Sequence, residues 1–342
     1  MRQVRLSIAG LGNVGRRLLE LMDSKRELLK TRYDLDLRVV GACDSTGGAE
    51  YFTGLDISQL IALKRAKKGI AAYPGGIARG EMRPVDLART VDADIFVELT
   101  LTNLQNGEPG LTAIRDALAK KMSVVTANKG PLVLAYPELA ALANANGVRL
   151  LHSATVTGGL PTLNLGARDL GATVIEKFEG VVNGTTNYIL SRMSEGQAYD
   201  QALKHAQEIG MAEADPSLDV DGWDAASKLA IVANTVLKRP TKLKDISVEG
   251  IRGVTPEQLR LATEHKKVIK LIALAERAGN DYVLSVRPTV LERSHPLSKI
   301  GAGMMGVMYH TDINGVIFAA IEEENPYPTA AAVLRDIVNA AM

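Results

Sequence analysis

Over residues 1–151, short apolar runs alternate with longer stretches in which apolar side chains return every three or four positions. Residues 4–9 form the first run, uniform enough for a parallel strand buried on both faces. Val14, Leu18, Leu21, Met22, Leu28 and Leu29 then recur at roughly helical spacing, which predicts one helix over residues 13–30. Strand character returns over 35–42, 93–99, 122–126 and 148–151. A helix is predicted over 110–120. Gly130-Pro131 opens another, because proline is well tolerated at a first helical position. Strand and helix in alternation imply an open parallel sheet with helices on both faces.

Past residue 151 the pattern changes. Residues 173–182 read as a strand, followed by several helices between 185 and 238. Residues 267–275 and 282–291 are sheet or helix segments that their period does not separate. Residues 307–312 and 315–321 read as an antiparallel pair around Asn314-Gly315, a dipeptide suited to tight hairpins. A helix over 328–341 closes the chain, and no internal repeat is visible.

Composition narrows the class. The chain has 342 residues, 46% hydrophobic and 23% charged, which excludes extensive disorder and allows two separate cores. A formal net charge of +1 gives no electrostatic reason to expect a nucleic-acid or anionic-membrane partner. The single cysteine, Cys43, forms no internal disulfide, the N-terminus carries charges within its apolar run, and no apolar window is long enough to span a membrane. The expected location is cytoplasmic.

The first candidate chemistry is Gly10-Leu11-Gly12-Asn13-Val14-Gly15, a G-x-G-x-x-G placed between a predicted strand and a predicted helix. The first glycine permits the turn, the second lets backbone approach a pyrophosphate, and the third lets helix and strand pack closely. Phosphates would then meet the unpaired N–H groups of the helix start. A Rossmann-type dinucleotide-binding domain follows. Asp44, at the end of the second strand, is the candidate ribose ligand, although it lies farther beyond Gly15 than the ~20 residues usual for that acid. A carboxylate there leans toward NAD over NADP, while Lys64, Arg65, Lys67 and Lys68 nearby are able to neutralise a 2′-phosphate.

Cys43 sits at the adenosine side of such a sheet and reads as a small core residue, which argues against covalent thiohemiacetal chemistry. His152, His205, His265, His295 and His310 lack ligand spacing, so no zinc site is expected. Between Glu213 and Lys228, five carboxylates precede one lysine: Glu213, Asp215, Asp219, Asp221 and Asp224. Asp221 is positioned to cap a helix beginning at Gly222, and Asp224 and Lys228 fall four apart on one helix face. Two readings stand for this segment: a solvated acidic loop feeding a surface helix, or a site for a substrate bearing an ammonium group.

The segment resembles homoserine dehydrogenase, as do Asn183-Gly184-Thr185-Thr186-Asn187-Tyr188-Ile189-Leu190, Ala127-Asn128-Lys129 and Pro328-Thr329-Ala330-Ala331, all in the family's order. The resemblance implies interconversion of L-homoserine and L-aspartate 4-semialdehyde with NAD or NADP. It implies Lys228 and Lys129 as catalytic lysines, Glu213 and Asp224 holding the substrate ammonium, and Asp219 supporting the lysine. Gly184 and Thr185 would line the junction of nicotinamide and substrate, and Thr100 would contact the cofactor. For Asp215 and Asp221 a structural role is the stronger reading.

The chain also departs from the family. Ser153 stands where the family commonly has an acidic residue of a cation site, so a monovalent cation rests on the backbone carbonyls of Val156 and Gly158 alone. Met211 replaces a frequent tyrosine. Glu322-Glu323-Glu324-Asn325-Pro326-Tyr327 replaces a glycine-rich stretch, leaving Gly303 to contribute to cofactor closure. The expected fold is α/β, a Rossmann-type parallel-sheet domain (1–151 plus about 322–342) with an inserted α+β catalytic and dimerisation domain (152–321). A small-molecule amino-acid substrate and a homodimer are expected, with no regulatory ligand-binding domain. The rivals are a sister dehydrogenase on another amino-acid aldehyde or keto substrate, and a nucleotide sensor without turnover.

Overall fold

Strands β1 (Arg2–Ala9), β2 (Leu35–Asp44), β3 (Gly47–Glu50), β4 (Ala78–Arg79), β5 (Ile95–Glu98), β6 (Ser123–Thr126) and β7 (Leu150–Leu151) form one sheet, in the order β4-β3-β2-β1-β5-β6-β7. The computed structural model describes residues 1–75 and 78–342. These divide into two units, Met1–Gly159 with Asn325–Met342, and Leu160–Glu324. β2, β1, β5, β6 and β7 run parallel, and at one edge β3 pairs antiparallel with β2 and β4 antiparallel with β3. Leu6, Ile8 and Ala9 of the central strand are wholly buried, as a strand covered on both faces requires.

Helices α1 (Asn13–Ser24), α2 (Arg26–Tyr33), α3 (Ile57–Arg65), α4 (Pro84–Thr90), α5 (Gly110–Ala119) and α6 (Lys129–Ala145) connect these strands. On one face Leu18, Leu19 and Met22 of α1 and Leu60 of α3 join Val333, Ile337 and Val338 of the C-terminal helix, Tyr327–Ala341. On the other, Leu87, Ile114, Leu118 and Leu139 of α4, α5 and α6 cover Phe96 and Val124. Each large apolar side chain so buried contributes about 1.5–3 kcal/mol. The C-terminal helix therefore completes the first unit although more than 160 residues separate it from the strands it covers.

The single helix expected over 13–30 is two. α1 ends at Ser24, Lys25 has φ −102° and ψ 8°, and α2 restarts at Arg26. The apolar stripe explains the break: after Leu21 and Met22 the next helical positions carry Lys25 and Arg26, and in α2 only Leu29 is buried.

The second unit has its own sheet of β8 (Ile175–Val181), β9 (Ser247–Val248), β10 (Lys267–Ala278), β11 (Asp281–Glu292), β12 (Met304–Thr311) and β13 (Val316–Glu322), ordered β13-β12-β8-β10-β11-β9. β10 and β11 settle the segments that periodicity left open: they pair antiparallel from Lys267↔Glu292 to Ala278↔Asp281. β12 and β13 form the hairpin, with Gly315 at φ +71°. Helices α7 (Thr162–Asn164), α8 (Gly184–Ser194), α9 (Tyr199–Glu208), α10 (Ser217–Val220), α11 (Trp223–Thr235) and α12 (Pro256–Glu264) complete the unit. Among the described residues no helix is long and apolar enough to cross a membrane.

Candidate active site

In the first unit the site begins where β1 gives way to α1. Gly10 has φ +94°, and its N–H donates to the Cys43 carbonyl at 2.9 Å, tying the turn to the end of β2. A Cβ on Gly15 would stand 2.3 Å from the Gly10 oxygen, whereas one on Gly12 would meet nothing within 4 Å. The third glycine is therefore required by packing, and the second leaves open space at the N-terminus of α1. No side chain caps that terminus. Its N–H groups are available to an anion.

This turn lies at the point where the sheet order reverses, with β2 on one side of β1 and β5 on the other. Thr100 follows β5, with its N–H and hydroxyl on Glu98. Lys129 is the first residue of α6, whose N-cap Asn128 accepts from the Gly130 N–H at 3.0 Å. Cys43 is wholly buried, and burial pushes its thiol up to about 12, so it is no nucleophile.

Asp44 is held by its own chain. Oδ1 accepts from the Thr46 N–H at 2.9 Å and hydroxyl at 2.7 Å, and Oδ2 from Lys64 Nζ at 2.6 Å and the Ile70 N–H at 3.2 Å. Burial raises its pKa, but Lys64 and Thr46 together outweigh it and hold the carboxyl below the usual aspartate range. A carboxyl whose folded pKa is depressed stabilises above its unfolded pKa and loses that contribution as the pH falls through the folded value. Asp44→Asn is therefore expected to destabilise the protein by about 1–3 kcal/mol at pH 7, with the difference from wild type shrinking below about pH 4. Thermal melts at pH 7 and pH 3.5 check this. An equal loss at both would assign the effect to packing.

In the second unit the structure brings together four residues around one amide. Asn183 caps α8 by accepting from the Thr186 N–H at 2.8 Å. Its Nδ2 donates to Asp219 Oδ1 at 2.6 Å and to Asp224 Oδ2 at 2.8 Å. Lys228 Nζ lies 2.8 Å from Asp224 Oδ2 and donates to the Val182 carbonyl at 2.7 Å. The lysine and Asp224 side chains are each 13% exposed, so this pair is not a solvated surface contact. Burial, then the neighbouring Asp224, push the Asp219 carboxyl above its ordinary range. The sequence spacing that put Asp224 and Lys228 on one face of a helix is realised in α11.

Gly184 opens α8, and the Thr185 hydroxyl donates to the Met211 carbonyl at 3.1 Å. Glu213 is exposed and lies two residues past that carbonyl. Asp221 does not cap α11. The N-cap is Gly222, at φ +86° with no side-chain cap bond, and Asp221 instead pairs with Arg252. A left-handed N-cap turns the chain so that the preceding carboxylate leaves the helix start. Asp215 accepts from the Ser217 N–H at 3.1 Å, a local turn. Gly303 has φ +79°, and its carbonyl accepts from the Glu323 N–H at 3.4 Å.

At the expected cation position, the Val156 carbonyl accepts from the Thr157 hydroxyl at 2.7 Å, and Thr157 and Gly158 both have φ +54°. The Ser153 N–H and hydroxyl both donate to Asp336 at 2.8 Å. Among the described residues no group of three or more His, Cys, Asp or Glu is arranged to hold a metal.

Residues 10–153 match the family model for the NAD-binding domain of homoserine dehydrogenase, and residues 161–338 match the homoserine dehydrogenase model. The chain belongs to the homoserine dehydrogenase family. It is 38% identical to a homoserine dehydrogenase of Methanocaldococcus jannaschii over 97% of each chain. It is 34% identical to an NAD(+)-dependent homoserine dehydrogenase of Pseudomonas canavaninivorans, over 99% of this chain and 96% of that one. Among solved structures, a homoserine dehydrogenase of Thiobacillus denitrificans superposes with a TM-score of 0.86 at 33% identity, covering 99% of this chain and 73% of the other. A hyperthermophilic archaeal homoserine dehydrogenase in complex with NADPH gives 0.86 at 27%, over 99% and 98%. Membership makes this chain an NAD(P)-dependent oxidoreductase.

Glu98 and Lys270 are among the buried charged residues that escaped the sequence reading. Glu98 ends β5, and Lys270 of β10 donates to Asn187 Oδ1 and the Ile300 carbonyl, each at 2.7 Å, with its amine pulled down to about 8 by burial. Asn187 in turn donates to the Gly301 carbonyl at 2.6 Å, so Lys270 ties α8 to the loop preceding β12. The available signal was a charge adjoining or interrupting a short apolar run, Ile95-Phe96-Val97-Glu98 and Val268-Ile269-Lys270-Leu271, which burial permits only with partners.

Proposed function

We propose that Lys228 is the proton-transferring residue for interconversion of L-homoserine and L-aspartate 4-semialdehyde. The observation that carries this reading is the Asn183-organised cluster of Asp219, Asp224 and Lys228. It offers charges of both signs within hydrogen-bond distance of one another, the complement of a zwitterionic amino alcohol. When bound, the nicotinamide supplies the hydride acceptor or donor. Lys228 would take the hydroxyl proton as its free amine while hydride leaves homoserine C4, and the ammonium so formed would return the proton to the aldehyde oxygen in reverse. Asp224 and Glu213 hold the substrate ammonium, Asp219 supports the cluster, and Gly184 and Thr185 shape the start of α8 beside it.

On the cofactor side, Gly10, Leu11, Gly12, Asn13, Val14 and Gly15 cradle the pyrophosphate, Thr100 and Gly303 contact the cofactor, and Lys129 is the second catalytic lysine. NAD is the proposed preference, supported by the ionised Asp44 at the end of β2, where a carboxylate disfavours a 2′-phosphate. A homodimer is proposed from family resemblance, supported by exposed apolar side chains on strands of the second unit, Val283 and Val290 on β11 and Val316 and Phe318 on β13.

The test is homoserine-dependent reduction of NAD and NADP, assayed separately, with other amino alcohols as comparators. Turnover on homoserine with the lower KM for NAD is expected. Turnover only on another amino alcohol would transfer the site to a sister reaction, and cofactor binding without turnover would make the protein a sensor. Light scattering of the purified chain should give twice the monomer mass.

A further inference from the structure

Glu98 is wholly buried at the end of β5 and has no part in the proton transfer or substrate binding described above. Donors surround its carboxylate. Oε1 accepts the Thr100 N–H at 2.9 Å and the Thr100 hydroxyl, and Oε2 accepts the Thr126 hydroxyl at 3.1 Å. Each hydroxyl is already an acceptor for Asn128: Thr100 Oγ1 takes Nδ2 at 3.3 Å and Thr126 Oγ1 takes the backbone N–H at 3.0 Å. Their protons are thereby directed at Glu98. Burial is the larger influence and pushes this carboxyl upward in pKa, while the donors, all of which the carboxyl accepts, oppose it in favour of the anion. Thr100, Thr126 and Asn128 are all neutral, so they spread the negative charge without cancelling it.

The position of this charge matters. Glu98 is the register partner of Ala9, the last residue before the fingerprint glycine. A Cβ on Gly10 would stand 2.5 Å from the Leu99 carbonyl carbon and 2.8 Å from the Thr100 nitrogen, so the fingerprint turn lies directly against the residues that follow Glu98. Ligands of open parallel sheets bind outside the carboxyl ends of the strands at this reversal of order. An oxidised nicotinamide ring carries a positive charge, and a reduced one carries none.

We propose that Glu98 selects the redox state of the cofactor, its buried carboxylate favouring the oxidised nicotinamide over the reduced one. The proposal rests on the reading of Thr100 as a cofactor contact and Lys129 as a catalytic lysine, which would set the reacting nicotinamide beside the ends of β5 and β6. A charge in a low-dielectric surrounding acts over several ångströms without direct contact. As hydride passes from homoserine C4 to the ring, the ring's positive charge is lost and with it the attraction to Glu98. The equilibrium on the enzyme tilts toward oxidised cofactor and homoserine, the direction of aldehyde reduction.

Equilibrium titration of NAD+, NADH and ADP-ribose against wild type and Glu98→Gln tests it, because ADP-ribose lacks the ring. In Glu98→Gln the affinity for NAD+ is expected to fall about tenfold relative to NADH, with ADP-ribose unchanged. An equal loss for all three ligands would overturn the proposal and make Glu98 an anchor for the loops after β5 and β6. An unchanged NAD+ to NADH ratio would overturn it as well. Should Glu98→Gln fail to fold, Thr126→Val removes one donor from the anion and is expected to move the same ratio about threefold, and no movement there refutes the idea. A wild type whose affinities for NAD+ and NADH match that for ADP-ribose would instead sink the underlying placement of the ring.

Discussion

Lys228→Ala is expected to lower kcat for homoserine oxidation by about 10²–10⁴-fold while leaving cofactor affinity within a few-fold of wild type. The lysine is placed with little freedom: Asp224 and the Val182 carbonyl hold its ammonium from two sides, and its side chain is 13% exposed. Removing it also leaves Asp224 without its cation, so Lys228→Ala mixes lost chemistry with a disturbed cluster. Lys228→Arg separates the two. A guanidinium keeps the positive charge beside Asp224 but does not release a proton near neutral pH. If proton transfer is the role, arginine should be almost as inactive as alanine yet melt close to wild type. Turnover by Lys228→Arg within tenfold of wild type would reduce the lysine to a structural counter-charge.

The second large effect concerns the glycine turn, where two substitutions should fail differently. Gly15→Val places a Cβ 2.3 Å from the Gly10 carbonyl oxygen, a backbone atom that has no rotamer to move into. We expect a loss of about 1–3 kcal/mol in stability together with at least 100-fold weaker cofactor binding. Gly12→Ala has room for its Cβ and no left-handed φ to strain it, so its melting temperature should stay near wild type. The same open space is where a pyrophosphate must approach the helix start, and cofactor affinity should fall there without a stability change. Melting curves and NADH titration distinguish the pair. Normal binding by Gly12→Ala would show that the phosphates do not use this turn.

Much of the first unit was legible because its signals are local. The apolar run of β1, the three glycines and the helical stripe of α1 lie within about two dozen consecutive residues, and each follows from short-range sterics or burial. The break at Lys25 could also have been read from the missing apolar positions. The antiparallel pairing of β3 and β4, by contrast, has no periodic signal in such short segments. In the second unit the Asp224–Lys228 spacing was visible as one helix face, but Asn183, forty residues away, is what joins Asp224 to Asp219. Asp44 shows the opposite case. Its position at the end of β2 was legible, while the four donors that fill its oxygens come from Thr46, Lys64 and Ile70.

By itself, then, the sequence determined the nucleotide turn, the alternation of strand and helix around it, and the family through motifs in a fixed order. Those features depend on neighbours in the chain and on which residue types tolerate a turn or a helix start. Only the tertiary structure decided that residues 267–278 and 281–292 are strands, because both are apolar enough for either state and pairing with β8 and with each other selects one. It also decided that the buried charges of Glu98 and Lys270 have partners, and that Asp44 is held by Lys64. A charge adjoining or interrupting an apolar run says only that a partner must exist. Which residue answers it depends on contacts between segments distant in sequence, and no local pattern records those.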